Sequence, residues 1–321
     1  TFMCSSWYQY AYVSPYHDGD LPFDRQKGEY WLPVDQYTGG IEHATMHLMY
    51  TRFFTRVMRD IGLVEFDEPM LRLFTQGTIL GEDNEKMSKS RGNVVNPDEY
   101  VATLGADAVR AFLMFIGPWD LGGSWSSSGI EGIYRFINRM WSVALEELPP
   151  PGEPASPEAI AALRRITHKT IARATADMRA FKFNTMLAAL MELNNYLVKA
   201  KETSVYRTEA WDEAIHSLIL MIAPIMPHLA EELWERIGGP YSVHTQSWPQ
   251  CDQALAADEV ITLVVQVNGR VRARLEVAAD ITEDDATDAA LANANVQRHI
   301  EGKEVIKLVY VPGRLVNVVA R

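Results

Sequence analysis

Covalent staples are nearly absent from this chain of 321 residues. It holds two cysteines, Cys4 and Cys251, far apart in sequence. Two distant cysteines build neither a disulfide framework nor a zinc site, so no metal-ligating residues are assigned and a reducing cytoplasm is the default location. No apolar run approaches the ~20 residues of a membrane span, so no membrane partner is expected. The opening "TFMCSSWYQY" has no basic stretch ahead of an apolar core, and so no secretory signal. It also lacks an initiator methionine and begins in mid-pattern. The expectation is a fragment, a processed product or one half of a split protein. Positive charge is scarce as well: 30 Lys and Arg against 42 Asp and Glu leave a net charge of −12. That argues against wholesale coating of nucleic acid, while a local basic surface has to be sought segment by segment.

What is present is a folded composition, 47% hydrophobic and 22% charged, at a length that fits two or three domains. Residues 1–127 alternate strand-like and helix-like patterns. "PVDQYTGG" reads as a strand ending in a Gly-Gly turn. "IEHATMHLMYTRFFTRVMRDIG" reads as one amphipathic helix stopped by Gly62. "MLRLFTQGTIL" reads as the next strand, and "NPDEYVATLGADAVRAFLMFIG" as two short helices, the first opened by Asn96 and Pro97. Strand–helix–strand order implies an α/β layer. Residues 128–250 are dominated by long apolar-periodic runs broken by the loop "LPPPGEPASPE", which implies a helical bundle and a polar exit linker. Residues 259–321 read as a small ββαββ unit: two strands around Asn268-Gly269, a helix with an acidic first turn, and a hairpin turned at Pro312-Gly313.

Two lysines stand out against the acidic background. In "GEDNEKMSKSRGNVVNP", Lys86 and Lys89 sit in a Ser/Gly-rich loop between a strand and a helix. Two ammonium groups beside backbone N–H donors can neutralise a polyphosphate and lower a barrier in which phosphate charge grows. Ser88 and Ser90 add hydroxyls, and Gly92 permits close backbone approach. A merely solvated basic loop is the alternative. In "GGIEHATMH", His43 and His47 are spaced i, i+4 and so share a helix face. Gly39-Gly40 precede them at the C-terminal end of a strand, where open α/β sheets bind ligands. Glu42 is placed to accept hydrogen bonds from ribose hydroxyls. A zinc pair is a weak alternative, because Glu42 precedes both histidines, and two ordinary helix histidines are another. In "TFMCSSWYQYAY", Phe2, Ser5 and Tyr8 recur every third residue. On a helix they form one mixed aromatic and hydroxyl side, suited to a small apolar substrate or to core packing. Arg270, Arg272 and Arg274 alternate with Val271, Ala273 and Leu275, so a regular strand points all three one way. Residues 259–321 carry eight Lys/Arg against nine Asp/Glu, with the acids gathered at the helix start. That segregation permits an RNA-backbone patch, or simply a polar strand face.

"KMSKS" followed by "RGNVVNPDEYVATLGADAVRAFLMF" resembles the second signature of the class I aminoacyl-tRNA synthetases. "DQYTGGIEHATMHLMYTRFF" and "SSWY" resemble the leucyl members of that family, rather than the isoleucyl, valyl or methionyl ones. The resemblance covers the whole chain. It implies a multidomain α/β + α architecture: the second half of a Rossmann-like nucleotide-binding fold with the lysine loop (1–127), an α-helical bundle like the anticodon-binding domain (128–250), and a small C-terminal α+β tRNA-binding module (259–321).

The resemblance also implies an activity and its residues. The reaction is ATP-dependent activation of L-leucine to leucyl-adenylate and transfer to tRNA-Leu, with ATP and Mg2+ as cofactors. Lys86 and Lys89 carry catalysis. Gly39, Glu42, Ile79, Lys86, Ser88 and Lys89 hold ATP or the adenylate. Phe2, Ser5, Tyr8, His43 and His47 line the leucine pocket. Arg270, Arg272 and Arg274 meet tRNA. The H-x-G-H signature of the family is absent; "HIEG" at His299 lies after the lysine loop and lacks the final histidine. The editing insertion is not part of the chain either. The expectation is therefore the C-terminal part of a synthetase, inactive alone, with the missing N-terminal half as a candidate partner chain. A non-catalytic tRNA-binding module, or a subunit of a split synthetase, is the alternative.

Overall fold

The computed structural model describes residues 2–258, 260–279 and 281–321. Thr1, Glu259 (where the third expected domain begins) and Asp280 lie outside the described residues. The chain divides into two compact units, residues 1–156 with 170–250, and residues 157–169 with 251–321. Among the described residues, no helix is long and apolar enough to cross a membrane.

The first unit opens with α1 (Phe2–Val13), α2 (Arg25–Trp31), β1 (Tyr37–Gly40), α3 (His47–Asp60), β2 (Leu73–Gln76), β3 (Thr78–Leu80), α4 (Pro97–Leu104), α5 (Ala106–Phe115) and β4 (Gly122–Ser124). β1 pairs β2 in parallel and β3 pairs β4 in parallel, in two separate two-stranded sheets. Parallel strands need a crossover: α3 lies between the first pair in sequence, and α4 with α5 between the second.

Three expectations change here. Gly39 and Gly40 belong to β1 rather than to a turn. "MLRLFTQGTIL" is not one strand, because it splits at Gly77. A Cβ at Gly77 would lie 2.0 Å from Gly122 N and 2.1 Å from Leu121 C, and the Gly77 N–H donates to Trp119 O at 2.8 Å. The 119–122 backbone crosses directly against residue 77, and only glycine leaves room for it. Third, residues 41–62 are not one helix. Ile41–Thr45 forms a 3-10 turn, and α3 starts at His47 after Met46, whose φ of −125° and ψ of −101° are not helical.

α1 and α3 pack through hydrogen-bonding side chains. Gln9 Nε2 donates to Thr51 Oγ1 at 2.9 Å, and the Tyr10 and Thr55 hydroxyls are 2.9 Å apart. All four are buried, and their mutual hydrogen bonds offset the cost of burying them. Beside this seam, Tyr10, Phe23, Leu32, Met58 and Val64 form an apolar cluster. Burying each such side chain stabilises the fold by roughly 1.5–3 kcal/mol. Outside it, Glu68 receives Arg52 Nε at 2.6 Å and Arg56 Nη2 at 2.8 Å, tying α3 to the following loop.

The unit continues into α6 (Ser127–Leu145), the part of α7 (Pro157–Arg179) from Thr170 on, α8 (Phe183–Ala200), α9 (Glu209–Ile222) and α10 (Pro227–Arg236). Leu187, Leu190, Leu193, Leu197, Leu218 and Leu233 are among the buried residues of these helices. α5 is fastened to them. Asp107 Oδ2 accepts the Leu229 N–H at 2.7 Å in the first turn of α10, while Arg110 donates to Ile225 O at 3.0 Å and Pro224 O at 3.1 Å.

The second unit contains the first 13 residues of α7, the short α11 (Gln253–Ala256), β5 (Val260–Val267), β6 (Arg270–Ala278), α12 (Glu283–Ala292), α13 (Ala294–Ile300), β7 (Val305–Val311) and β8 (Leu315–Ala320). The strand order is β6-β5-β8-β7. Two antiparallel hairpins meet where β5 and β8 run parallel. Asn268 (φ 51°) and Gly269 (φ 76°) make the first turn with both residues left-handed, as a two-residue hairpin demands. Two helices stand where one was expected. Asn293 ends α12, and its Oδ1 caps α13 by accepting the Asn295 N–H at 3.0 Å.

The arginine expectation fails in part. The register of β5 against β6 shifts between Val265 and Gln266: Val264 faces Arg274, Val265 faces Ala273, Gln266 faces Val271 and Val267 faces Arg270. Arg272 is the extra residue of a β-bulge, which breaks the alternation. Arg274 therefore shares a face with Val264, and Arg270 sits opposite the buried Val267, so the three arginines do not form one row. Arg272 is half-buried, and its Nε has no hydrogen-bond partner.

Candidate functional site

A cleft of about 650 Å³ opens at the ends of β1 and β2. α1 supplies Ser5 and Tyr8 to its wall, β1 supplies Tyr37 to Gly40, the 3-10 turn supplies Glu42 and His43, and the start of α3 supplies His47 and Leu48. Gln76, Gly77 and Thr78 close it from the β2–β3 junction. Placement at strand C-termini follows the general rule for open parallel sheets.

The cleft's polar wall is one connected network. The hydroxyls of Tyr8 and Tyr37 are hydrogen-bonded to each other, and Tyr37 Oη lies 2.7 Å from His47 Nε2. The rings pack as well, with centroids 5.8 Å apart for Tyr8 and His47, and 6.2 Å for His43 and His47. Burial pushes the His47 imidazole below its usual pKa, and the neighbouring His43 pushes it the same way, against a smaller opposing effect of the Ser5 backbone. Burial, followed by the Tyr37 hydrogen bond, raises the Tyr8 phenol well above its ordinary range. A neutral imidazole and a neutral phenol make a wall that holds hydrogen bonds without carrying charge. Such a wall suits the uncharged part of a small ligand.

Glu42 folds back over the chain: a Cβ at Gly40 would meet Glu42 Oε2 at 2.3 Å, while Gly39 has open space beside it. The two histidines meet although the single helix expected to align them is absent. The 3-10 turn and the break at Met46 bring them together instead. Phe2 and Ile79 do not line the cleft. Phe2 packs edge-on against Tyr50, centroids 5.4 Å apart, and is 41% exposed. Ile79 follows Thr78 in β3, and strand alternation turns it to the opposite face. Tyr37 and Gln76 also line the cleft, and no sequence motif singles them out. Tyr37 was within reach of a period-two reading, since it shares a strand face with Gly39.

β3 connects this cleft to the lysine loop. Thr78 lines the cleft, and Leu80, two residues on and so about 7 Å further, bridges Lys86. Past that bridge the loop is held by Asn93, whose Oδ1 accepts the Ser88 N–H at 2.8 Å, and Ser88 and Ser90 share a hydrogen bond of 2.8 Å. Gly92 has φ +70°, the left-handed backbone for which glycine is suited. Lys86 and Lys89 are exposed, and the side chain of neither makes an ion pair or a hydrogen bond among the described residues. Asn96 Oδ1 then caps α4 by accepting the Asp98 N–H at 3.1 Å. Ammonium and hydroxyl donors fit phosphate oxygens. No group of three His, Cys, Asp or Glu side chains able to hold a metal ion occurs among the described residues.

Residues 6–119 match the profile of the tRNA synthetases class I (I, L, M and V), and residues 161–287 match that of the anticodon-binding domain of tRNA ligase. Leucine–tRNA ligase from Dehalococcoides mccartyi strain 195 is 52% identical over 321 residues, which is all of this chain and 39% of that protein. The enzyme of the same name from Rubrobacter xylanophilus is 55% identical over 99% of this chain and 38% of its own length. The chain thus spans about two fifths of the curated relatives it matches. Among solved structures, Agrobacterium radiobacter K84 LeuRS, in a ternary complex with tRNA and LeuAMS, superposes with a TM-score of 0.86 at 33% identity, covering 100% of this chain and 42% of that one. Mycobacterium tuberculosis methionyl-tRNA synthetase shares the fold over 72% of this chain, with a TM-score of 0.50 at 20% identity.

Proposed function

We infer function from a family membership: the chain belongs to the leucine–tRNA ligases of the class I aminoacyl-tRNA synthetases, and matches them along its whole length. The reading is that it carries one side of a site that activates L-leucine with ATP and transfers it to tRNA-Leu. The observation supporting this most is the continuity of the cleft with the lysine loop through three residues of β3. A small apolar side chain sits against Tyr8, Tyr37 and His47, with Ser5 and His43 beside it. The nucleotide lies over Gly39 and Glu42. Its phosphates reach Lys86, Ser88 and Lys89, whose charge stabilises the leaving pyrophosphate. Mg2+ would be carried by the phosphate oxygens of the nucleotide itself, since no group of three metal-ligating side chains occurs among the described residues. The bundle of α6–α10 and the small module with Arg270, Arg272 and Arg274 serve tRNA, in the cytoplasm.

A site with donors on one side stabilises a transition state only in part. The facing donors, including the H-x-G-H histidines, are assigned to the rest of a polypeptide as long as the relatives. An apolar stripe supports a covering partner: Met49, Phe53 and Val57 lie along α3 at four-residue spacing, and each is at least 40% exposed. The expected behaviour is no leucine-dependent ATP–pyrophosphate exchange from the 321 residues alone, and exchange once the remaining part of a leucine–tRNA ligase is added. Tight tRNA binding without rescue favours the non-catalytic module instead.

A further inference from the structure

We propose that Asn93 and Arg91 are positioning residues of the lysine loop, which hold the carboxylates of Asp83 and Glu85 aside so that Lys86 and Lys89 stay unpaired for a polyphosphate. The proposal rests on the reading of the two lysines as phosphate ligands. Three acids precede the lysines within four residues, at Glu82, Asp83 and Glu85. In water such a segment neutralises itself, because flexible ammonium and carboxylate groups a few residues apart pair readily. In this loop every one of the three acids is engaged elsewhere. Glu82 Oε1 accepts the Ser127 N–H at 2.7 Å, at the start of α6. Asp83 Oδ2 accepts Asn93 Nδ2 at 3.0 Å, and its Oδ1 accepts the Glu85 N–H at 3.0 Å. Glu85 Oε2 accepts Arg91 Nη1 at 2.8 Å.

Asn93 faces both ways. Its amide nitrogen holds Asp83, its carbonyl oxygen holds the Ser88 N–H, and it lies 3.4 Å from Lys86 O. It therefore fixes the loop backbone on each side of Lys86 while occupying the nearest carboxylate. Arg91 is the one cation of the loop already spent on an acid, and its planar guanidinium suits a carboxylate better than an ammonium does. The Asp83 carboxyl is held below the ordinary range, first by the Glu85 N–H and further by Asn93 and Arg91, so it stays an anion in need of a partner.

Sequestration and simple bracing predict different double mutants. The chain is titrated calorimetrically with inorganic tripolyphosphate at low ionic strength, and the part lost in Lys86→Ala/Lys89→Ala is taken as loop binding. Arg91→Ala is expected to weaken that part about fivefold, the scale of one exposed ion pair formed in competition. Arg91→Ala/Glu85→Gln removes the released carboxylate and is expected to bind as wild type does. Asn93→Ala is expected to weaken it as well, and Asp83→Asn/Asn93→Ala to recover only the part due to the released carboxylate, since the Ser88 N–H stays without its acceptor. The proposal is overturned if Arg91→Ala binds normally, if the double variants stay as weak as the single ones, or if the loop contributes no tripolyphosphate binding. Leucine-dependent exchange by the complete enzyme reports separately on the underlying reading. Its absence, with the rescue pattern intact, removes leucine activation and leaves sequestration standing.

Discussion

The hydroxyl of Tyr37 stands 2.7 Å from His47 Nε2 and is also bonded to the hydroxyl of Tyr8, so one side chain from β1 joins the start of α3 to α1. Tyr37→Phe keeps the ring and removes both bonds. At about 1 kcal/mol for each hydrogen bond lost at a half-buried site, the two together cost about 2 kcal/mol, or roughly thirtyfold in an equilibrium. The leucine KM of exchange by the complete enzyme is expected to rise by that factor, with the ATP KM unchanged.

The surroundings of His47 also make a pH prediction. Burial first, and then His43, hold His47 below its usual pKa of about 6.5. The folded state therefore favours the neutral ring. Its contribution to stability is fully present above that usual value and is lost as pH falls through the lower folded value. Denaturant midpoints measured from pH 8 to pH 5 are expected to fall on acidification, less steeply in His47→Gln.

Glu68 titrates far lower. Hydrogen bonds from Arg52, then Arg56, bring its carboxyl down to about 2 from an ordinary 4.5. The contribution is present above 4.5 and lost as pH falls toward 2. The partners are half exposed, so solvent screening limits it to about 1 kcal/mol. Glu68→Gln is expected to lower the unfolding free energy at pH 7 by no more than that, with the difference vanishing near pH 2.

Asp107 is a sharper target because it is buried. Asp107→Ala leaves the Leu229 N–H without its acceptor and is expected to cost about 1–3 kcal/mol in thermal or chemical unfolding. Asp107→Asn keeps an acceptor oxygen and is expected to recover most of the loss.

Local chemistry made much of this fold legible. The Asn268-Gly269 hairpin, the Asn96-Pro97 helix start and the α4–α5 pair follow from turn and cap residues whose preferences act within a few positions. The misses share a different cause. Gly77 splits a strand because residues 119–122 cross it, a contact 42 or more positions away. The bulge at Arg272 is a property of the β5–β6 pairing, invisible in one strand's alternation. In the cleft, His43 and His47 were placed side by side for a helical reason that does not hold, since tertiary packing brings them together across a break. Tyr37 carries no local signal of its own, because a tyrosine in a strand is an ordinary β residue. The lysine loop needed no tertiary context, since its residues follow one another in the chain.

The most direct measurement is ATP–pyrophosphate exchange by the complete enzyme with leucine, isoleucine or valine as the amino acid, for wild type and Lys89→Ala. Leucine is expected to support exchange far better than the other two, and Lys89→Ala to lower it at least about 10²-fold, the usual effect of removing one transition-state donor. Equal exchange with isoleucine, or undiminished exchange in Lys89→Ala, contradicts the assignment of the cleft to leucine or of the loop to the phosphates.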